Sequence, residues 1–259
     1  MFMGRVGANS QGGSPESEIV RELNGSRVLL TGLSATTGVD VARAFADIKA
    51  RLVVHTTDLS PEITELIALL SQNASEIKLY TEPMNDADAA VRFAQTAAQA
   101  YGGLDAVINL ATISCRDMDG IASESDVENL ISKTLTPLAH LTGVTANRMR
   151  VVLSEGLILN VLTMPQLHNG REMAIAGYAR SALAAMTKSE AHRWAGQGIR
   201  INAVGPRGAA SSPGETGAEG ARLTNEPDIA ALAIYLASRR GKTLSGHIFD
   251  CDGVALRAS

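Results

Sequence analysis

The chain has 259 residues, 45% hydrophobic and 19% charged, with 24 glycines and a formal net charge of −4. That is an ordinary globular composition, able to bury a sizeable core. The basic residues are scattered and no apolar run approaches the roughly 18 residues that span a bilayer, so neither nucleic acid nor membrane is an expected partner.

Residues 1–23 are rich in Gly, Ser, Asn and Glu and lack the apolar stretch of a signal peptide. They are expected to form a flexible arm ahead of one domain over residues 24–259, in the cytoplasm. Arg27 to Thr31 (RVLLT) is a continuous apolar run ending at Gly32, the pattern of a strand buried on both faces. A helix is expected from Gly38 to Lys49, a second strand over Leu52 to Thr56, and a helix from about Pro61, where proline suits a first turn. Ile77 to Tyr80 reads as a third strand, and Asp86 to Tyr101 as a helix closed by Gly102-Gly103. Ala106 to Leu110 is the fourth strand, with a long helix from about Glu124 to Asn147. Leu157 to Leu162 and a helix over roughly Ala174 to Ala195 follow. Arg200 to Val204, a helix over Asp228 to Ser238 and a last strand at His247 to Cys251 complete the series.

This alternation predicts right-handed βαβ crossovers and a doubly wound α/β fold, a seven-stranded parallel sheet with helices on both faces. Ligands in such sheets sit beyond the carboxyl ends of the strands, near the switch point. Cys115 and Cys251 form no C-x-x-C pair and read as small buried hydrophobes, with a reactive thiol as the alternative for Cys115. The histidines at 55, 140, 168, 192 and 247 lack metal-ligand spacing, so no metal site is expected.

Several signatures occur in one order. Thr31-Gly32-Leu33-Ser34-Ala35-Thr36-Thr37-Gly38 resembles T-G-x-x-x-G-x-G, and Asn109-Leu110-Ala111-Thr112 resembles N-N-A-G. Arg200-Ile201-Asn202-Ala203-Val204-Gly205-Pro206-Arg207 resembles R-I-N-A-V-x-P-G, and the segment from Asp228 to Gly253 matches a closing pattern. Over about residues 25 to 255 the chain therefore resembles the classical short-chain dehydrogenases/reductases, with their Rossmann-type fold.

The resemblance implies NAD or NADP as cofactor, with contacts at Gly32, Ser34, Thr36, Thr37, Gly38, Thr56, Thr57, Asn109, Ala111 and Pro206. Each cofactor loop departs from the pattern. Thr36 replaces the middle glycine, where a β-carbon crowds a phosphate, although its hydroxyl could instead cap the helix. Thr56 and Thr57 stand where an acidic or basic residue normally selects the cofactor, and Asp58 lies slightly too late. Pro83 stands where the family has an aspartate, and Asp86 reads as a substitute for it or as a helix cap. Thr112 and Arg207 replace two further glycines. Two expectations stay open: a dinucleotide held in the usual way, and weak or absent binding.

In the family a tyrosine acts as general acid–base, a lysine four residues on tunes it, a serine binds the substrate oxygen, and an asparagine completes a relay. The run Arg180 to Lys188 resembles K-A-A-L-x-x-M-T-K, which places Arg180 at the lysine and Ala176 at the tyrosine. Gly156 to Thr163 resembles G-R-I-V-N-I-S-S and places Thr163 at the serine; Thr134 falls at the asparagine. All four positions are substituted. Tyr178 lies two residues beyond Ala176, about 200° around a helix, so it should face away unless the helix start is irregular. Arg180 could hold a carboxylate or phosphate, or pair with an acidic residue of the chain itself.

Two readings follow. One is a catalytically impaired relative kept as a binding or assembly module, a homodimer or homotetramer joined through the two long helices, or a partner of an active relative. The other is an active NAD(P)-dependent reductase of a small carbonyl compound using Tyr178, Thr163 and Arg180, with His168 or Glu172 supplying a proton. The stretch between Pro206 and Pro227 is short and Gly/Ser-rich, and should close poorly over a substrate.

Overall fold

The structure is a computed structural model that describes residues 15–84, 86–207 and 223–252. Seven strands form one parallel sheet in the order β3-β2-β1-β4-β5-β6-β7. They are β1 Arg27–Thr31, β2 Arg51–His55, β3 Glu76–Tyr80, β4 Ala106–Thr112, β5 Gly156–Thr163, β6 Ile199–Pro206 and β7 Ile248–Cys251. The order reverses between β1 and β4, which sets the switch point there. Helices α1 Pro15–Leu23, α2 Val39–Asp47, α3 Pro61–Asn73 and α8 Glu226–Ala237 carry apolar residues into the core cluster on one face. The opposite face is covered by α4 Ala87–Gln99, α6 Glu124–Val151 and α7 Gly170–Trp194, with the short α5 Cys115–Met118 near the end of β4.

The helix starts follow from local chemistry. Ser60, Asp86, Ser123, Asn169 and Asn225 each accept a backbone N–H of their helix's first turn. Ser123 and Asp126 close a reciprocal capping box at the head of the long α6. Strand β5 is buried along its whole length, as a central parallel strand must be.

Some boundaries differ from those expected. Strands β4, β5 and β6 run further toward their carboxyl ends, because parallel pairing continues through Thr112↔Thr163 and Pro206↔Cys251. Helix α7 begins at Gly170, a turn earlier than the apolar pattern indicates, because Asn169 caps it there. The arm expected over residues 1–23 includes α1, which docks by burying Leu23 and packing Ile19 on the core. The poorly closing stretch after Pro206 lies mostly outside the described residues. Among the described residues no helix is long and apolar enough to cross a membrane.

A polar ladder crosses the middle of the sheet. The Thr31 hydroxyl donates to Asn109 Oδ1 at 3.1 Å, Asn109 Nδ2 donates to Asn160 Oδ1 at 2.9 Å, and the Thr142 hydroxyl of α6 donates to that oxygen at 3.1 Å. These four residues are essentially inaccessible to water. Replacing Asn109 with the isosteric Leu strands the Thr31 hydroxyl and one Asn160 bond. The variant is expected to lose about 1–3 kcal/mol, read as a lower urea midpoint with unchanged slope.

Candidate functional site

The glycine-containing turn that the resemblance assigns to cofactor phosphates is built from β1 and the start of α2. Gly32 and Gly38 both adopt left-handed backbone, at φ 76° and 84°. Their missing side chains serve a contact within the chain. A β-carbon at Gly32 would fall 2.1 Å from the Leu110 carbonyl oxygen, and one at Gly38 would fall 2.1 Å from Leu110 Cδ1. Ser34 and Thr37 close the turn through backbone hydrogen bonds of 3.0 and 3.4 Å. Thr36 does not cap α2: its N–H donates to Ser34 Oγ and its hydroxyl lies 3.4 Å from that oxygen. It sits two residues upstream of the N-cap, Gly38, which has no side chain to cap with.

The donors of this turn are engaged from elsewhere in the chain. Ala35 N–H donates to Asp58 Oδ2 at 2.9 Å, and Asp40 N–H, in the first turn of α2, donates to Glu226 Oε1 at 3.2 Å. Bonds from Ala35 and then Ser60 hold the Asp58 carboxyl below the usual carboxylate range. The Thr56 hydroxyl steadies the Asp58 backbone by accepting its N–H at 3.0 Å, whereas Thr57 faces solvent. Asp86 is a helix cap, accepting Ala89 N–H at 2.7 Å.

Three hydroxyls stand side by side at the sheet's carboxyl edge. Thr112 Oγ1 is 2.9 Å from Thr163 Oγ1 and 3.4 Å from Thr37 Oγ1, and Thr163 also donates to the Ala111 carbonyl at 3.4 Å. Asn109 belongs to the buried ladder below them.

The other candidates lie apart. Ala176 is fully buried in α7 within an apolar cluster that includes Ile113, Leu162 and Met164. The Thr134 hydroxyl turns back to its own helix and donates to the Leu130 carbonyl at 2.8 Å. Arg180 reaches Asp250 of β7, with Nε at 2.8 Å and Nη2 at 2.6 Å from Oδ1. Tyr178 is 55% exposed and faces a shallow groove between α6 and α7, lined also by Ile131, Leu135, Ala182 and Met186. The structure thus does not bring Tyr178, Thr163 and Arg180 together. His168 and Glu172 join the start of α7: the Glu172 carboxylate accepts from His168 N–H at 2.6 Å and from the Asn169 amide at 2.8 Å.

Beyond β5, β6 and β7 opens a cleft of about 600 Å³, walled by Leu162, Met164, Leu167, Met173 and Pro206. Its charged side chains are Arg207 and Asp252, 3.9 Å apart. Cys251 also lines it, but burial pushes that thiol up to about 11, so it stays protonated at neutral pH. Cys115 is exposed rather than buried, because it opens the short α5 on the surface. Among the described residues no cluster of His, Cys, Asp or Glu could hold a metal.

Sequence reasoning found the turns but missed Leu110, Glu226 and Asp250, and set Asp58 aside. Asp58 alone carried a signal, as a carboxylate just past β2; Glu226 lies 186 residues from the amide that it binds.

A model of the short chain dehydrogenase family matches residues 26–217. The chain therefore belongs to the short-chain dehydrogenase/reductase family, whose members normally bind NAD or NADP. It is 27% identical over 249 residues to 2-dehydro-3-deoxy-D-gluconate 5-dehydrogenase of Bacillus subtilis, covering 89% of this chain and 94% of that one. It is also 27% identical over 263 residues to momilactone A synthase of Oryza sativa, covering 93% and 94%. In structure it resembles a short-chain dehydrogenase from Oenococcus oeni, with TM-score 0.69 at 19% identity over 89% of this chain and 96% of that one. That likeness speaks for the fold.

The Asp58 contact has a pH signature. A carboxyl with a lowered folded pKa contributes stability above its unfolded value and loses it as pH falls through the folded one. Asp58→Asn should therefore lower Tm at pH 7, and the gap to the parent should close as the pH drops below the ordinary aspartate range. A gap independent of pH down to 2 would contradict the contact.

Proposed function

We propose that this chain is a catalytically impaired short-chain dehydrogenase/reductase that serves as a binding or assembly module. The observation that carries the reading is the place of Ala176. The methyl of Ala176, the residue that the resemblance sets at the general-acid position, is buried, and the nearest tyrosine in sequence, Tyr178, lies on the α6–α7 groove. Losing a general acid typically costs ~10²–10⁴-fold in rate. Arg180 supports the same reading, since its guanidinium is already paired with Asp250 and cannot also tune a proton donor. A dinucleotide fits the turn between β1 and α2 poorly, because Leu110, Thr112 and Glu226 crowd the place that should receive its phosphates. Weak or absent cofactor binding is the expected behaviour.

The module's assembly face is proposed to be the groove of about 440 Å³ on α6 and α7, with homodimer or homotetramer as the product. Ile131, Leu135, Ala182 and Met186 offer an apolar surface, and Ala182 permits close approach of helices. The cleft beyond β5 to β7 remains open for a small carbonyl ligand.

Calorimetric titration with NADH and NADPH, together with nicotinamide absorbance in the presence of a panel of ketones and aldehydes, tests the catalytic half. Tight binding with turnover of any panel member would establish the active reductase instead. Sedimentation velocity tests the assembly half. The parent should sediment as an oligomer and Tyr178→Glu as a monomer with unchanged circular dichroism, because a charge desolvated in an apolar contact is costly. A parent that stays monomeric at high micromolar concentration removes the assembly role.

A further inference from the structure

We infer that the chain fills its own dinucleotide groove, with the Glu226 carboxylate standing where a cofactor phosphate would meet the amides of α2 and Leu110 covering the turn beneath. The inference goes beyond lost catalysis, because a protein can lose its general acid and still keep its cofactor.

Three independent features converge. The first is electrostatic. A helix start presents unpaired N–H groups and partial positive charge, which in a dinucleotide fold attract the pyrophosphate. Here α8 packs against α2, and its first residue, Glu226, accepts the Asp40 N–H at 3.2 Å. A second carboxylate, Asp58, accepts the Ala35 N–H of the same turn at 2.9 Å. A pyrophosphate arriving there would meet two negative charges and two donors already taken.

The second feature is steric. Leu110 lies against Gly38, with Cδ1 at 2.1 Å from where a β-carbon would be. Gly38, the third glycine of the turn, thus lets Leu110 of β4 pack closely under α2, while the middle glycine, which should let the cofactor approach the backbone, is replaced by Thr36. The third is local packing: beside the turn, the small space bounded by Thr36, Gly38, Leu110, Thr163, Glu226 and Ile229 holds only about 10 Å³. That barely admits one water, whose requirement is roughly 10–15 Å³. Thr112, bonded to Thr163 and near Thr37, closes the groove on its sheet side.

The filling also has a thermodynamic sense. An apo groove would leave glycine backbone and helix amides to water, and a bound cofactor would normally stabilise the fold by mass action. Glu226 and Leu110 supply those contacts within the chain, so the fold does not depend on a ligand.

The test titrates the full chain and the double variant Glu226→Ala/Leu110→Ala with inorganic pyrophosphate and with NADPH. The parent is expected to bind neither in the millimolar range. The variant should gain about ten-fold or more in affinity for both. A parent that binds NADPH as tightly as the variant overturns the inference, and so does a variant that folds by circular dichroism yet gains nothing. If the double variant does not fold, amide hydrogen exchange in the single variant Glu226→Ala, which has no acceptor for the Asp40 N–H, decides. Asp40 N–H should exchange about ten-fold faster than in the parent, and an unchanged rate overturns the inference. Inert turnover with tight NADPH binding by the parent would leave the impaired-catalysis reading standing and remove this one alone.

Discussion

At the centre of the sheet, β1, β4 and β5 meet at one level with polar side chains. Thr31, Asn109 and Asn160 are register partners, and their hydrogen bonds run on into Thr142 of α6. Buried amides without partners are costly, so a shift of one residue in any of the three strands would break the ladder and flip every side chain beyond it to the other face. The ladder therefore does more than join strands. It fixes which way each residue at the carboxyl ends must point.

That parity accounts for the site. With Asn109 held toward α6, Leu110 must face α2, where it meets Gly38. Two residues on, Thr112 faces the same way and meets Thr37, with Thr163 beside it in register. On β5, Asn160 faces α6, so Val161 and Thr163 line the α2 side while Leu162 enters the apolar cluster around Ala176. Residues distant in the sequence thus become neighbours in space at the end of the sheet. Thr112 pairs with Thr163, and Thr163, Leu110 and Glu226 line one small space beside the turn.

Helix α7 shows the same internal settlement. The partner of Arg180 is Asp250 on β7. The pair is only partly screened from water, with side-chain exposures of 27% and 33%, so its contribution to stability is modest. Its effect is on geometry: it holds the guanidinium against the edge of the sheet, away from the α6–α7 groove where Tyr178 lies. The same helix thus faces inward with Ala176 and Ala179 and outward with Tyr178.

The sequence by itself determined the order of strands and helices, the parallel sheet and the sites of the turns. Those features rest on local periodicity, on capping residues such as Ser60 and Asn169, and on glycines at Gly32 and Gly38 whose backbone needs are local. It also carried the 200° argument that set Tyr178 apart from Ala176, because helical phase is a property of adjacent residues. Only the tertiary structure decided that Asp58 would turn back to Ala35, that Asp250 would claim Arg180, and that Glu226 would reach the first turn of α2. Those partners are 23, 70 and 186 residues apart. Side-chain pairing at such separations depends on how whole layers pack, and no period or motif in a single chain encodes that distance.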